Sequence, residues 1–218
     1  MIFSTIYRPT ALFSLRDSNS TNSGAKSLFL PSPYAIKMAF LSQAISIGGI
    51  DFEKYTNLFK IIRDADISYY ISGNYCVNNC FVKIQKQRDK EPFKSTVSFR
   101  EYMYIDGDLE LIIDVESSED ITFLKKYLHT INYFGKRGCF FQFIEYKDIP
   151  SKPNVINFNS QTITTGIIQE FDDFDHSLSF EDVNSFSNSE TTRKKMFLVM
   201  PLSNICSSKS YTHFKVME

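Results

Sequence analysis

The pattern of hydrophobic and polar positions along the chain predicts alternating strands and helices. Residues 1–15 are rich in Ile, Phe, Tyr and Thr, which is typical of a first strand, and the polar run 17–26 is typical of a loop. A helix is predicted next, with Ser32 as N-cap and Pro33 as its first residue. Its apolar positions recur at helical spacing and end at Gly48-Gly49.

The middle of the chain is predicted to form a long hairpin. Aromatic and β-branched residues recur over residues 67–84 and again over residues 95–105. The interval 85–94 between them is charged, with Phe93 as its one large apolar side chain, so little burial would offset the cost of ordering it. The pattern therefore predicts a protruding hairpin, about residues 81–104, with a basic tip.

Strands and a second long helix follow the hairpin. Residues 109–115 are predicted as a strand, and Ser117 with Asp120 has the pattern of a capping box in front of an apolar stripe at helical spacing. Residues 139–146 are almost entirely aromatic or apolar, which is typical of a central strand. With a shorter helix predicted over residues 51–63, the order is strand, helix, strands, helix, strand.

This order is the ferredoxin-like (RRM-like) βαββαβ pattern, and the predicted fold class is α+β. We place the ferredoxin-like domain at residues 1–150 and a small β-rich C-terminal region at residues 151–218, because Pro150 and Pro153 punctuate the chain there. Short strand-like runs of the C-terminal region flank an acidic, Ser/Asn-rich stretch. The runs are residues 155–158, 162–168, 195–200 and 211–217.

The connection between the second long helix and the strand at residues 139–146 has the clearest chemical signal. It places Lys136 and Arg137 between Gly135 and Gly138. Glycine permits positive φ and close approach of a ligand to backbone N–H groups, so this turn suits an anionic phosphate backbone. A solvated turn is the alternative interpretation.

Charges are sorted by region, while the formal net charge of the 218 residues is only −1. Nucleic-acid binding must therefore come from local clusters. Under strand alternation, Arg100 would share a face with Tyr102 and Tyr104, as in sheets that bind RNA; an ion pair at a sheet edge is the alternative. The hairpin cations are either an electrostatic contact surface or a solubilising tip. The candidates in and beside the hairpin are Lys83, Lys86, Arg88, Lys94 and Arg100.

The sequence gives little support for catalysis, a metal or a cofactor. Cys76 and Cys80 have three residues between them where zinc sites usually have two, so no cofactor and no metal is predicted. His129 is the histidine best placed for acid–base chemistry, although a structural role at a helix end is the alternative. The acidic stretch is interpreted as a solvated loop or a patch for a basic partner rather than a metal site.

No run approaches the ~18 apolar residues of a membrane helix, so we expect a cytoplasmic protein without membrane contact.

Three segments of the chain resemble the fifth Cas family, in the RAMP superfamily of CRISPR-associated RNA-binding proteins. Residues 30–37 (Leu-Pro-Ser-Pro-Tyr-Ala-Ile-Lys) are similar to the Pro/Ser-rich start of the family's first helix. Residues 96–104 are similar to the strand that leaves its protruding hairpin, or thumb, and residues 132–138 to its glycine-rich turn. The resemblance covers most of residues 1–147.

The resemblance implies a non-catalytic RNA-binding subunit of a Cascade-type (class 1, type I) effector complex for DNA interference. Such a subunit caps the 5′ handle of the CRISPR guide RNA (crRNA) and contacts the backbone and large subunits, with target DNA as a further partner to be tested. Arg16, Lys26 and Lys37 lie where the family has RNA contacts. Some members cleave precursor crRNA, so a metal-independent endoribonuclease is the alternative function.

Overall fold

The computed structural model of the protein describes residues 1–16, 18, 26–88, 91–158, 165–184 and 192–217, without the side chains at 84, 86, 88, 91 and 92. The helices are α1 (Pro33–Ser46), α2 (Thr56–Asp64), α3 (Ser118–Leu128) and the short α4 (Phe180–Val183). The strands are β1 (Ile2–Pro9), β2 (Leu15–Arg16), β3 (Ser27–Leu28), β4 (Asp66–Ile71), β5 (Asn74–Arg88), β6 (Glu91–Asp106), β7 (Leu109–Asp114), β8 (Phe141–Lys147), β9 (Ile156–Asn157), β10 (Ile167–Phe174), β11 (Arg193–Met200), β12 (Leu202–Ser207) and β13 (Tyr211–Val216). The fold is therefore mixed, with several sheets and few helices.

A four-stranded antiparallel sheet joins strands from residues 2–147. Its order is β4-β7-β1-β8. β1 is an inner strand, and its residues from Phe3 through Tyr7 are all buried. Tyr7 satisfies its buried hydroxyl by donating to the carbonyl oxygen of Leu128 at 2.7 Å, at the end of α3. The sheet and the helices thus share one hydrophobic core.

β8 is an edge strand, so the prediction of a central strand over residues 139–146 is wrong. Phe141 is buried, but Gln142, Ile144 and Glu145 are exposed. A bulge opposite Ile6 and Tyr7 also shifts the alternation of the strand. The aromatic content of this run overstated its burial, because Phe140 is 45% exposed and Phe143 and Tyr146 are only partly buried.

The start signals of the two long helices are confirmed. Pro33 is the first residue of α1, and Ser32 Oγ accepts a hydrogen bond from the backbone N–H of Ala35 at 3.2 Å. Ser117 and Asp120 form both hydrogen bonds of the capping box at α3. These caps satisfy N–H groups that have no partner within the helix.

The shorter helix begins later than predicted. α2 starts at Thr56 rather than at residue 51. The carboxylate of Asp51 instead accepts the backbone N–H groups of Glu53 and Lys54, which holds a turn in front of the helix.

The long hairpin belongs to a second sheet, of order β12-β13-β5-β6. The run 67–84 is divided at Gly73, whose φ is +79° and where a Cβ would lie 1.8 Å from the carbonyl oxygen of Asp106. β13 pairs with β5 only from Asn74 to Asn78. The N–H of Asn79 still donates to the carbonyl oxygen of Ser210, and beyond Asn79 the described pairings of β5 are with β6 alone, so the two strands form a protruding ribbon. The described part of the interval expected as a basic tip is strand, and residues 89–90 lie outside the described residues.

Three acids of the acidic stretch, Glu170, Asp172 and Asp173, lie in strand β10, and Glu181 and Asp182 lie in α4, so the interpretation as a solvated loop is wrong for these residues. β10 pairs with the basic strand β11, with Asp172 opposite Lys195 and Asp173 opposite Lys194. Asp172 forms ion pairs with Arg193 and Lys195 of β11, whereas Asp173 forms one with Lys37 of α1, and these partners permit both aspartates to be buried. Among the described residues, no group of three or more His, Cys, Asp and Glu side chains is arranged to hold a metal.

The chain after residue 150 is tied to the central sheet by a buried carboxylate. Glu110 accepts hydrogen bonds from Ser4 Oγ at 2.6 Å and from Ser151, through its N–H at 2.9 Å and its hydroxyl at 2.8 Å. Burial opposes ionisation, but these hydrogen bonds and Lys147 hold the pKa of Glu110 below its usual range. The boundary near residue 150 stays a prediction.

No helix in the described part of the chain is both long enough and apolar enough to span a membrane.

Candidate nucleic-acid interface

The glycine-rich turn closes on itself immediately before β8. The N–H of Phe134 donates to the carbonyl oxygen of Cys139 at 3.2 Å, and an isolated bridge joins Tyr133 to Phe140. Gly135 has φ +65° and Gly138 has φ +105°. These are conformations that glycine adopts without strain.

The base of this turn is anchored in the core. Phe134 is fully buried, with its ring 5.0 Å from the ring of Tyr7 and 5.1 Å from that of Phe141. Cys139 is also buried, and burial raises the pKa of its thiol. The four residues from Gly135 to Gly138 are all exposed. A rigid base therefore presents an accessible turn with two cations.

A cleft of about 590 Å³ lies beside the turn. It is bounded by β2, the first turn of α1, β6, the glycine-rich turn and the β10-β11 pair. Its volume is within the range of ligand-binding clefts. The charged residues that line it are Arg16, Arg100, Lys136, Arg193, Glu170 and Asp172. Four cations against two acids make the described lining net positive.

The acids of the cleft are engaged by cations of β11. Asp172 accepts from Arg193 at 2.8 Å and from Lys195 at 2.6 Å, and Lys195 also contacts Glu170 at 3.0 Å. Burial opposes ionisation of Asp172, but hydrogen bonds from Lys195, Arg193 and Ser18 hold its pKa below its usual range. Asp172 therefore stays charged and orients the cations around it.

One wall of the cleft contains a stacked pair. The guanidinium carbon of Arg193 lies 4.2 Å from the ring centroid of Tyr34, which is the second residue of α1. The same ring meets Phe174 edge-on at 5.1 Å. Burial raises the pKa of Tyr34, so its hydroxyl is neutral at physiological pH. The ring of Tyr34 is thus held on two sides.

The cleft brings together four of the predicted contact residues: Arg16, Arg100, Gly135 and Lys136. The other two members of the turn, Arg137 and Gly138, are exposed beside it but do not line it. Lys26 lines an adjoining groove that shares Leu28 and Glu170 with the cleft. Lys83 and Lys94 are exposed on the ribbon, while the side chains of Lys86 and Arg88 lie outside the described residues.

Lys37 is not available to RNA in this structure, which corrects the prediction for this residue. Its side chain is 3% exposed, and its ammonium lies 2.7 Å from the carboxylate of Asp173. It also donates to the backbone carbonyl of Arg63 at 2.8 Å. The physical reason is its position on the buried stripe of α1, together with Phe40, Leu41 and Ala44.

The ribbon exposes aromatic as well as basic side chains. Phe81 is 77% exposed and packs edge-on against Phe99, its cross-strand partner, with the ring centroids 5.0 Å apart. Phe93 and Val97 are exposed on the same ribbon. An exposed apolar cluster of this kind is typical of an interaction surface.

Sequence reasoning missed Tyr34, Arg193 and Asp172. Tyr34 lies within the motif at residues 30–37 and so had a local signal. The sequence signal for Arg193 and Asp172 was weaker. It consisted of an acidic run and a basic run of complementary charge in the C-terminal region. Nothing local indicates that this strand pair meets the start of α1.

None of the three histidines is among the described residues that line the cleft. His129 lies at the C-cap of α3, where its ring contacts the backbone carbonyl of Lys125 at 3.0 Å, and it lines a separate groove. His176 pairs with Asp64, and His213 contacts Asn74. The predicted alternative for His129, a structural role at a helix end, agrees with these contacts.

Substituting Gly135 by alanine is expected to weaken RNA binding as well as stability. At φ +65° a Cβ costs about 1–2 kcal/mol, and here it would also lie 3.1 Å from Leu15 in the wall of the cleft. Gly49→Ala is the matched control, because Gly49 has φ +61° with open space around it. Thermal destabilisation at least as large as that of Gly49→Ala, with an RNA-affinity loss in Gly135→Ala only, is the expected result. Equal affinities would show that the shape of the turn does not affect binding.

Comparison with known proteins defines the class of this fold. A solved CRISPR protein from Archaeoglobus fulgidus aligns with a TM-score of 0.50 at 12% identity, over 100% of this chain and 93% of that chain. A chain of a CRISPR RNA-guided surveillance complex aligns with a TM-score of 0.47 at 11% identity, over 91% and 88% of the two chains, which is too low to carry an argument. The fold is thus similar to that of the solved CRISPR protein.

The particular resemblance is to Cas5. No protein-family model matches the chain. The CRISPR-associated protein Cas5 of Archaeoglobus fulgidus is 27% identical over an alignment of 195 positions, which covers 84% of this chain and 83% of that protein. This similarity confirms the resemblance to the fifth Cas family that the sequence motifs predict, and it extends beyond residue 150.

Proposed function

We propose that this chain is a non-catalytic RNA-binding subunit of a Cascade-type effector complex, and that its cleft holds the 5′ handle of the crRNA. The observation that carries the proposal is the convergence of Arg16, Arg100 and Lys136 in one cleft. These residues come from three separate segments of the chain, and the cations share the cleft with an aromatic ring. Cations beside rings suit single-stranded RNA, whose phosphates and unstacked bases are both accessible.

We also infer that β1, α1, α2, β4, β7, α3 and β8 form a ferredoxin-like (RRM-like) domain. The order β4-β7-β1-β8 supports this inference, because it places the first strand beside the last and the two middle strands on the other side. The ribbon of β5 and β6 is inserted between the two middle strands. We interpret it as the thumb that meets a backbone subunit, with the large subunit as a second protein partner in the cytoplasm.

The test of this proposal is the RNA affinity of Arg100→Ala/Lys136→Ala across a salt series. Each lost phosphate contact removes about 0.7 from the slope of log affinity against log salt for a single strand, so the double variant should lose about 1.4. If the two proteins converge at 1 M salt, this corresponds to about 25-fold weaker binding at 0.1 M. A labelled 5′ fragment of the crRNA is the probe, and anisotropy titration is the measurement.

Lys54→Ala/Lys60→Ala is the matched control, since it removes the same charge from two exposed lysines outside the cleft. Wild-type affinity and slope are expected for this control. If both double variants lose RNA affinity equally, the RNA is attracted by the charges of the whole molecule and not specifically by the cations of the cleft. Failure of the wild-type chain to bind the fragment at low salt would reject the proposed function.

The endoribonuclease alternative gains no support from the geometry. A metal-independent ribonuclease needs an acid or base beside the 2′-hydroxyl. His129 lines a different groove, and the ring of Tyr34 in the cleft is stacked beneath Arg193. We therefore retain the non-catalytic function.

A further inference from the structure

The stacked pair of Tyr34 and Arg193 has features beyond those needed for packing. A guanidinium over an aromatic ring is held by cation–π attraction. Here the guanidinium is also oriented by Asp172, whose Oδ2 lies 2.8 Å from Nη1 of Arg193. Two independent contacts therefore hold the Arg193 guanidinium in place.

The platform beneath Arg193 is itself rigid. Tyr34 follows Pro33, which has a restricted φ, in the capped first turn of α1. Its ring is braced edge-on by the buried ring of Phe174, with the centroids 5.1 Å apart. Neither partner of the stack can rotate without breaking these contacts.

The Arg193 side chain nonetheless reaches the cleft. It is 37% exposed and lies in the same lining as Arg16, Arg100 and Lys136. Its charge is already matched by Asp172, so it is a poorer phosphate ligand than Arg100 or Lys136. What it offers to a ligand is a planar, weakly hydrated surface, and that is suited to stacking.

We propose that Tyr34 and Arg193 form a stacking platform for one unpaired nucleobase, with Asp172 as the positioning residue for Arg193. The proposal rests on the proposed function and deepens it, because it divides the cleft into two chemical parts. Arg16, Arg100 and Lys136 contact phosphates, and the platform contacts a base. Base stacking on such surfaces tolerates any base, since every base has a π face.

The first test is Arg193→Lys. This substitution keeps the positive charge and the ion pair with Asp172, but it removes the planar guanidinium on which a base could stack. It should weaken binding of the labelled crRNA fragment by about 5- to 150-fold, the range for loss of one stacked base. The slope of affinity against salt should not change, because no phosphate contact is lost. Arg8→Lys is the matched control, since Arg8 forms an exposed pair with Asp108 at 2.7 Å outside the cleft. It should bind as the wild type does.

The second test is a set of fragments that each have one abasic nucleotide. For the wild type, one position should show a large loss of affinity, and in Arg193→Lys the same lesion should have almost no further effect. Tyr34→Phe should behave as the wild type, and Tyr34→Leu should resemble Arg193→Lys. Thermal unfolding of each variant shows whether the folded state persists.

The outcomes separate the platform from the function of the whole cleft. If Arg193→Lys binds like the wild type while Arg100→Ala/Lys136→Ala loses slope, the platform is only a packing contact and the proposed function stands. If Arg193→Lys reduces the salt slope, Arg193 contacts a phosphate and the proposal is wrong. If the wild type binds no fragment at all, both proposals fail together.

Discussion

Asp173→Ala is expected to lower the free energy of unfolding by about 3–5 kcal/mol, because it leaves the ammonium of Lys37 buried without its partner. Lys37 is 3% exposed, and its Nζ lies 2.7 Å from the Asp173 carboxylate. The pair joins α1 to β10, so its loss also loosens the C-terminal region. Chemical denaturation of the purified chain gives the measurement.

The pH dependence of this destabilisation has a defined sign. Burial lowers the pKa of Lys37, and Asp173 opposes that shift. Without Asp173, the pKa of Lys37 in the folded state falls further below its value in the unfolded chain. The cost of the buried charge is then fully present below the folded pKa and is relieved as pH rises above it. The difference between Asp173→Ala and the wild type should therefore be smaller at pH 9.5 than at pH 7.

Asp148→Ala is the matched control for burial. Lys125 and Asp148 form a pair of almost the same length, 2.8 Å, but Asp148 is 89% exposed. Exposed pairs contribute at most about 1 kcal/mol. Replacing the buried pair by Lys37→Met/Asp173→Leu should recover most of the lost stability, since well-packed apolar residues often match a buried ion pair. Equal effects of Asp173→Ala and Asp148→Ala would contradict this account.

Local signals in the sequence were sufficient for the features that depend on a few adjacent residues. The caps at Ser32 and Ser117 follow from side chains that satisfy free N–H groups within three residues. The glycine-rich turn before β8 was predicted as an exposed pair of cations between glycines, and the positive φ of Gly135 and Gly138 agrees with that.

For Lys37 a local sequence signal for burial existed, but the prediction followed the family resemblance instead. Residues 37, 40, 41 and 44 have the i, i+3, i+4, i+7 spacing of a buried helix face, and all four are buried. The helical period alone therefore predicts burial of this lysine. The resemblance to a family with RNA contacts in this region argued for exposure instead.

The cleft itself could not be predicted from local patterns. Tyr34 and Arg193 lie far apart in the sequence and meet because β10 and β11 pack against the start of α1. The charges of β10 and β11 are complementary in register, but that register exists only once the two strands pair. Sequence alone predicted Arg100 and Lys136 as separate candidates, and the tertiary fold places them together.

The ribbon of β5 and β6 differs from the charged cleft in that it exposes aromatic side chains to solvent. Phe81 and Phe99 pair across the strands in a region where the described pairings of β5 involve β6 only. In the isolated chain this ring pair contributes about 0.5–1.5 kcal/mol. Burial of Phe81 against a partner would contribute more, since its side chain is 77% exposed.

Phe81→Thr/Phe99→Thr is therefore expected to reduce incorporation of the chain into the proposed effector complex by at least about 30-fold, equivalent to the 2 kcal/mol or more of an aromatic hot spot. Threonine keeps the strand propensity of the ribbon, so the free chain should unfold near the wild-type temperature. The measurement is the amount of chain that co-purifies with the other subunits and a guide RNA after co-expression.

Phe158→Thr/Phe197→Thr is the matched control. It removes two phenylalanines that are also exposed, at 48% and 49%, and should assemble normally. Wild-type incorporation of Phe81→Thr/Phe99→Thr would show that the ribbon is not an assembly surface, whereas equal loss in both double variants would indicate a general effect of removing exposed rings.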